Sequence, residues 1–246
     1  MTTATVRPWL PGGLPAGGAT KLFCFPHAGA SAAVYRDWAA AAGEVAVVPV
    51  QPPGRAERGR ERPHEDVEAM VDDALEGLAD AFTGDYAFFG HSLGALVAYL
   101  LTRRLVERGA TPPRHLFVSG RAAPQLPDTR PPLRALPDDR LAAELHALGG
   151  LPDVLRREPE LLAMFLPLMR ADLTVNETYR HVPGDRLPVP LTVFGGDRDP
   201  RADRSELEAW LELSSDAALF TYAGGHFYLE DRVPELLAVV RRRLQR

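Results

Sequence analysis

Five residues, Gly90-His91-Ser92-Leu93-Gly94, constrain this chain more than any others. The apolar run Tyr86-Ala87-Phe88-Phe89 precedes them and the helical run Ala95-Leu96-Val97-Ala98-Tyr99-Leu100-Leu101 follows, so the stretch is a sharp turn from a buried strand into a helix. A backbone doubles back that tightly only where its neighbours are small, and Gly90 and Gly94 supply the small positions. The serine at the apex takes a strained conformation. Its hydroxyl is raised from the carboxyl end of a sheet, beside a helix N-terminus whose dipole favours developing negative charge. Gly-x-Ser-x-Gly alone is a weak pattern; the strand before it and the helix after it make Ser92 a nucleophile candidate. Such a serine needs a base, an acid to orient the base, and donors for an oxyanion.

Apolar strand-like runs recur at residues 21–25, 45–50, 86–89, 115–119, 190–194 and 217–222, with helical patterns near 34–42, 65–82, 95–108 and 204–213 and from 233 onward. That alternation predicts an α/β class, with a mostly parallel central sheet flanked by helices. It breaks between the fourth and fifth strands. Residues 122–187 contain no strand-like run, so they are expected to form a helical lid inserted over the serine. Leu141, Leu145 and Leu148 mark an amphipathic helix there, with Pro137 in its first turn and Gly149-Gly150 ending it. The following stretch, Leu161-Leu162-Ala163-Met164-Phe165-Leu166-Pro167-Leu168-Met169, is apolar nearly all round. It must be buried or line something, which makes Met164, Phe165, Leu168 and Met169 pocket or lid-core candidates, and Pro167 is expected to kink it. Residues 1–19 are rich in proline and glycine and form a leading arm, which Trp9 can pin to the body. The 246 residues therefore make a single domain with an arm and an insertion.

Composition narrows the function. A formal charge of −5 and a pI near 5.8 argue against nucleic acid as a partner. The single cysteine, Cys24, rules out an internal disulfide and fits a reducing cytosol; no secretory or membrane-spanning run is present, so the expected location is cytoplasmic. The arm's glycines lack the G-x-G-x-x-G spacing between strand and helix, and no His-Glu-x-x-His or Cys/His cluster offers a metal its ligands. No cofactor is expected.

Seven histidines compete for the base. His91 neighbours the serine on a tight turn, where adjacent side chains diverge. His27 lies in the small-residue loop Pro26-His27-Ala28-Gly29-Ala30-Ser31, whose backbone N–H groups suit an oxyanion hole. His64, His115, His146 and His181 lack a strand-end context. His226 follows a strand and the turn Gly224-Gly225, and neutral imidazole is the side chain that takes a serine proton near neutral pH. The order Ser92, then an Asp after a strand, then His226 is that of serine triads in α/β-hydrolases.

The chain resembles the type II thioesterases of polyketide and nonribosomal peptide assembly lines. The resemblance rests on Phe25-Pro26-His27-Ala28-Gly29, Gln51-Pro52-Pro53-Gly54-Arg55, Gly90-His91-Ser92-Leu93-Gly94-Ala95, Gly195-Gly196-Asp197-Arg198-Asp199-Pro200 and Gly225-His226-Phe227. It departs from the family pattern at Ala30, and at Ser119-Gly120-Arg121-Ala122-Ala123-Pro124, which is one alanine longer. The resemblance implies an α/β-hydrolase fold and hydrolysis of misprimed or stalled acyl units from the phosphopantetheine arm of carrier domains. It implies Ser92 as nucleophile, His226 as base, and the N–H groups of Ala28 and Leu93 as the oxyanion hole. In hydrolases of this fold the acid commonly follows a strand-end glycine as Gly-x-x-Asp, which favours Asp199 over Asp197, with Pro200 stiffening the backbone after it. Arg55 and Arg58, in a basic loop on an acidic protein, are candidate contacts to an acidic carrier domain. Rival readings are a chain-terminating fatty-acyl thioesterase, a small-molecule carboxylesterase, and an inactive carrier-binding module.

Overall fold

The structure is a computed structural model and describes residues 9–245. The first eight residues of the expected arm lie outside the described residues; of the remainder, Trp9 and Leu10 are buried in the core, with Trp9 against Gly77.

Six strands form one parallel sheet in the order β2-β1-β3-β4-β5-β6, comprising β1 (Lys21–Phe25), β2 (Ala46–Pro49), β3 (Tyr86–His91), β4 (Leu116–Ser119), β5 (Leu191–Gly196) and β6 (Ala217–Tyr222). Successive side chains leave a strand on opposite faces, and the two faces are covered by different helices. Phe23, Phe25, Phe88, Leu116, Val118, Leu191 and Val193 pack in one cluster with α2 (Val67–Leu78) and α3 (Leu93–Glu107). Their neighbours Leu22, Cys24, Ala87, Phe89, Phe117 and Phe194 pack with Trp38 of α1 (Trp38–Ala41) and with α8 (Val233–Leu244). Burial on both faces explains why the strands are continuous apolar runs rather than alternating ones.

Between β4 and β5 the chain forms α4 (Asp138–Ala147), α5 (Asp153–Arg157) and α6 (Pro159–Thr178). Leu133, Leu141, Leu145, Leu151, Leu166, Met169 and Leu173 give this insertion a small core of its own. Helix α6 runs through Pro167 without interruption; Pro167 and Ala163, whose carbonyl loses its donor there, are both exposed. The helix expected over 34–42 is a 3₁₀ turn (Ala32–Tyr35) capped by the Ser31 hydroxyl, followed by the single turn α1. The last elements are α7 (Arg204–Glu208), closed by a capping box from Asp203 and Glu206, then β6 and α8. No helix among the described residues is long and apolar enough to cross a membrane.

Candidate active site

Ser92 sits between the end of β3 and the start of α3 with φ 55° and ψ −114°, a left-handed conformation unusual for a side-chain-bearing residue. Its N–H donates to the Ser119 carbonyl at 2.8 Å, and its carbonyl accepts from Ala95 N at 3.1 Å. A Cβ at Gly90 would lie 2.1 Å from the Gly94 carbonyl oxygen, and one at Gly94 would lie 2.1 Å from the Phe25 carbonyl oxygen. No larger residue fits either position, so the glycines are demanded by close approach of backbone to backbone. Ser92 opens into a cavity of about 660 Å³, which His27, Ala28, His226 and Phe227 also line.

His226 follows β6 and is buried, with Nδ1 2.8 Å from Asp199 Oδ2. A carboxylate only accepts, so the ring proton lies on Nδ1, and Nε2 keeps the lone pair a base needs. The other oxygen of Asp199 accepts from Arg201 N at 2.8 Å, which fixes the carboxylate in the loop after β5. Asp197 is exposed and its Oδ1 accepts from Gly224 N at 2.9 Å, tying that loop to the turn before His226. Asp199, and not Asp197, therefore meets the imidazole.

The two other histidines nearby stay neutral. Burial pushes His27 down to about 3, with the charges of His226 and Arg55 adding to the effect. Burial also holds His91 well below the ordinary range, and His226 and His27 lower it further. His91 Nδ1 meets Ser119 Oγ at 2.9 Å, and that oxygen meets the Tyr228 hydroxyl at 2.7 Å. This buried chain braces the floor behind the serine, and the sequence reading did not identify it. Its one signal is a hydroxyl residue at the end of an otherwise apolar strand.

Ala28 lines the cavity, and Leu93 opens α3 beside Ser92. Among the described residues neither N–H is donated to another group. The next residue along, Gly29, donates its N–H to Asp172 Oδ2 at 2.7 Å. Asp172 lies on α6, fully buried, and grips Arg55 through two parallel bonds, Nη1 to Oδ2 at 2.6 Å and Nη2 to Oδ1 at 2.8 Å. Arg55 also donates to the carbonyls of Ala30 and Pro53. The expectation that Arg55 and Arg58 face a partner is therefore corrected, since both are buried. Arg58 pairs with Glu61 at 2.6 and 2.8 Å, donates to the Gln51 carbonyl, and lies 4.5 Å over the Trp9 ring. A guanidinium can be buried when most of its donors meet acceptors, as four of Arg55's do, and one of these acceptors, the Pro53 carbonyl of the Pro-Pro-Gly turn, is not revealed by sequence spacing.

The four apolar candidates of α6 separate. Met169 is buried and lines the cavity. It and Phe165 cover Gly29, where an added Cβ would lie 2.6 Å from Met169 Cε and 2.8 Å from Phe165 Cζ. Leu168 is half-buried and is not among the lining residues. Met164 is corrected outright: it is 78% exposed and points away from the cavity, because the helix has a solvent side despite its composition. Among the described residues no cluster of His, Cys, Asp or Glu could hold a metal ion.

The thioesterase-domain family model matches residues 20–244. The chain is similar to the gramicidin S biosynthesis protein GrsT of Aneurinibacillus migulanus, 34% identical over 227 residues that cover 92% of this chain and 89% of that one. It is 38% identical to the thioesterase PikA5 of Streptomyces venezuelae over 221 residues, 89% of this chain and 78% of that one. Among solved structures it is similar to the type II thioesterase BorB from the borrelidin biosynthetic cluster, with a TM-score of 0.88 and 37% identity over 96% of this chain and 97% of that one.

Proposed function

Because this chain belongs to the thioesterase-domain family, with the α/β-hydrolase fold and the thioester-hydrolysing activity of that family, we propose that it frees acyl groups from the phosphopantetheine arm of carrier domains. The setting is a polyketide or nonribosomal peptide assembly line in the cytoplasm, and the groups removed are misprimed or stalled ones. The observation that carries the reading is the strained Ser92 facing the same cavity as a His226 whose Nδ1 is held at 2.8 Å by Asp199.

Ser92 Oγ attacks the thioester carbonyl carbon while His226 Nε2 takes its proton. The carbonyl oxygen becomes an oxyanion between the N–H groups of Ala28 and Leu93, at the N-terminus of α3, where fixed donors are worth most. The carbon–sulfur bond then breaks, and the imidazolium gives its proton to the departing pantetheine sulfur. Water attacks the acyl-serine with His226 again taking a proton, and the acid leaves as the serine regains its hydrogen. Asp199 keeps the ring in the one tautomer that works in both halves. The insertion over 122–187 serves as the lid, with Met169 roofing the acyl pocket and Phe165 packing beside it over Gly29. No dissociable cofactor takes part, since the phosphopantetheine belongs to the partner.

Ser92→Ala tests the assignment. The variant is expected to fold, to resist labelling by a fluorophosphonate, and to retain under a few per cent of wild-type turnover of acyl-carrier thioesters. Substantial residual turnover would remove Ser92 from the mechanism. Faster wild-type hydrolysis of simple aryl esters than of acyl-carrier thioesters would move the substrate class to carboxylesters.

A further inference from the structure

The cavity in front of Ser92 carries charge that the hydrolytic steps do not use. Five arginines line it (Arg121, Arg130, Arg134, Arg180 and Arg201) against two carboxylates, Asp128 and Glu177, although the whole chain carries a net charge of −5. Three of the cations are matched. Arg130 pairs with Asp128 at 2.8 Å and with Glu206 at 3.2 Å, Arg134 with Glu177 at 3.3 Å, and Arg201 with Asp128 at 3.8 Å. Arg180 is exposed and donates to the carbonyls of Glu177 and Tyr179.

Arg121 differs from all of these. Among the described residues no carboxylate pairs with it; its one side-chain partner is the neutral Asn176 Oδ1, and its buried Nε has no partner. Burial lowers its guanidinium to about 10, with Arg130 and Arg201 adding to the effect against the opposing pull of Tyr179 and Asp128. The residue as a whole is half-buried at the cavity wall, and a cation there with no carboxylate in pairing distance and with its buried Nε unmet is costly. Its backbone, by contrast, is firmly held. Trp210, fully buried, donates Nε1–H to the Arg121 carbonyl at 2.8 Å, and Gly120 packs on His91 so closely that a Cβ would lie 2.3 Å from Cε1. The position is also near the nucleophile. Ser119 is the strand partner of His91, and the two residues from Ser119 to Arg121 span at most about 7 Å.

We propose that Arg121 is a binding residue for an oxyanion carried by the substrate, either a carboxylate on the acyl chain or the phosphate of the pantetheine arm. The guanidinium fork suits both, and the short path from Ser92 places it within range of a carboxylate a few carbons beyond the thioester. This proposal rests on the acyl-thioester reading of the cavity, so its test is built to stand apart from turnover.

Binding is measured by calorimetry on the Ser92→Ala protein with succinyl and butyryl thioesters, each on N-acetylcysteamine, on pantetheine and on 4′-phosphopantetheine. Arg121→Gln and Arg121→Lys are then added, and affinities are compared as ratios within each preparation. If the carboxylate is the ligand, Arg121→Gln lowers the succinyl-to-butyryl ratio by about 10- to 100-fold on all three thiols. If the phosphate is the ligand, it lowers the phosphopantetheine-to-pantetheine ratio by a similar factor for both acyl groups. Arg121→Lys falls between, keeping the charge but not the fork. Equal losses for charged and neutral ligands, or no loss, would overturn the proposal and leave Arg121 as a prop for Asn176. Failure of wild type to hydrolyse butyryl groups presented on carrier domains would refute the thioesterase reading while leaving these ratios measurable.

Discussion

Two buried aspartates, Asp199 and Asp172, each grip a basic side chain, and they do different things with the same charge. Asp199, in the loop after β5, holds the imidazole of His226, a type of side chain able to take up and give back a proton. Asp172, on helix α6, holds the guanidinium of Arg55, whose charge is permanent, together with the N–H of Gly29. A carboxylate facing a titrating ring can stabilise the imidazolium that forms during the reaction. One facing an arginine is already neutralised and can only hold the chain in place. Burial and charge therefore do not identify a catalytic acid; what matters is whether the partner's protonation state changes. Asp172 is the bolt between the insertion and the loop that carries Ala28.

The sharpest way to break this comparison is to replace each carboxylate with its amide. Asp199→Asn keeps the acceptor for Arg201 N but presents an amide N–H to His226 Nδ1. The ring then carries its proton on Nε2 and cannot take one from Ser92. kcat is expected to fall by up to ~10⁴-fold, with the melting temperature nearly unchanged. Asp172→Asn leaves Arg55 buried beside a neutral group. Breaking such a pair costs about 3 kcal/mol at the lower end of its range, or a Tm lower by roughly 6–12 °C for a domain of this size. Because Gly29 adjoins Ala28, kcat is expected to drop too, by less than the ~10²-fold that losing a whole oxyanion donor costs. If, with both proteins folded, Asp172→Asn lost more activity than Asp199→Asn, the division between reacting and holding carboxylates would collapse.

The contrast also explains what the sequence could reveal. Ser92, Asp199 and His226 each follow a strand, so their positions are written in local punctuation: Gly-x-Ser-x-Gly, Gly-x-x-Asp, Gly-Gly-His. The alternation of apolar runs likewise gave the parallel sheet and the helical insertion. Asp172 and Arg55 are separated by 117 positions, and neither sits in a pattern that names the other. The only clue to Asp172 is a lone acid inside the apolar turn Ala171-Asp172-Leu173, and Arg55 carried a misleading clue, its place in a charged loop. Met164 failed for a related reason. An apolar composition says that a helix has a buried side, but the phase of that side depends on what it packs against, here Leu141, Leu145 and the loop at Ala28. Long-range polar pairs and helix phase are tertiary facts.

The smallest effect belongs to Asp197, which sharpens the comparison by serving as its exposed control. It lies two residues from Asp199 in the same loop, yet its carboxylate accepts from Gly224 N at 2.9 Å and otherwise pairs only with the exposed Arg198 guanidinium at 3.6 Å. Two further bonds already join the loop to the turn before His226, Asp197 N to the Tyr222 carbonyl at 2.8 Å and Arg198 N to the Gly224 carbonyl at 2.9 Å. Asp197→Asn retains an acceptor oxygen in the same place, so the stability loss is expected to stay below about 1 kcal/mol, the size of one exposed hydrogen bond. The imidazole keeps its own carboxylate, so kcat is expected to stay within about threefold of wild type, under ~1 kcal/mol in the barrier. Thermal melts and kcat on one acyl-carrier substrate check both numbers. A kcat loss approaching that of Asp199→Asn, in a protein that melts normally, would mean that the imidazole answers to the wrong aspartate in this structure, and the reacting role would pass to Asp197.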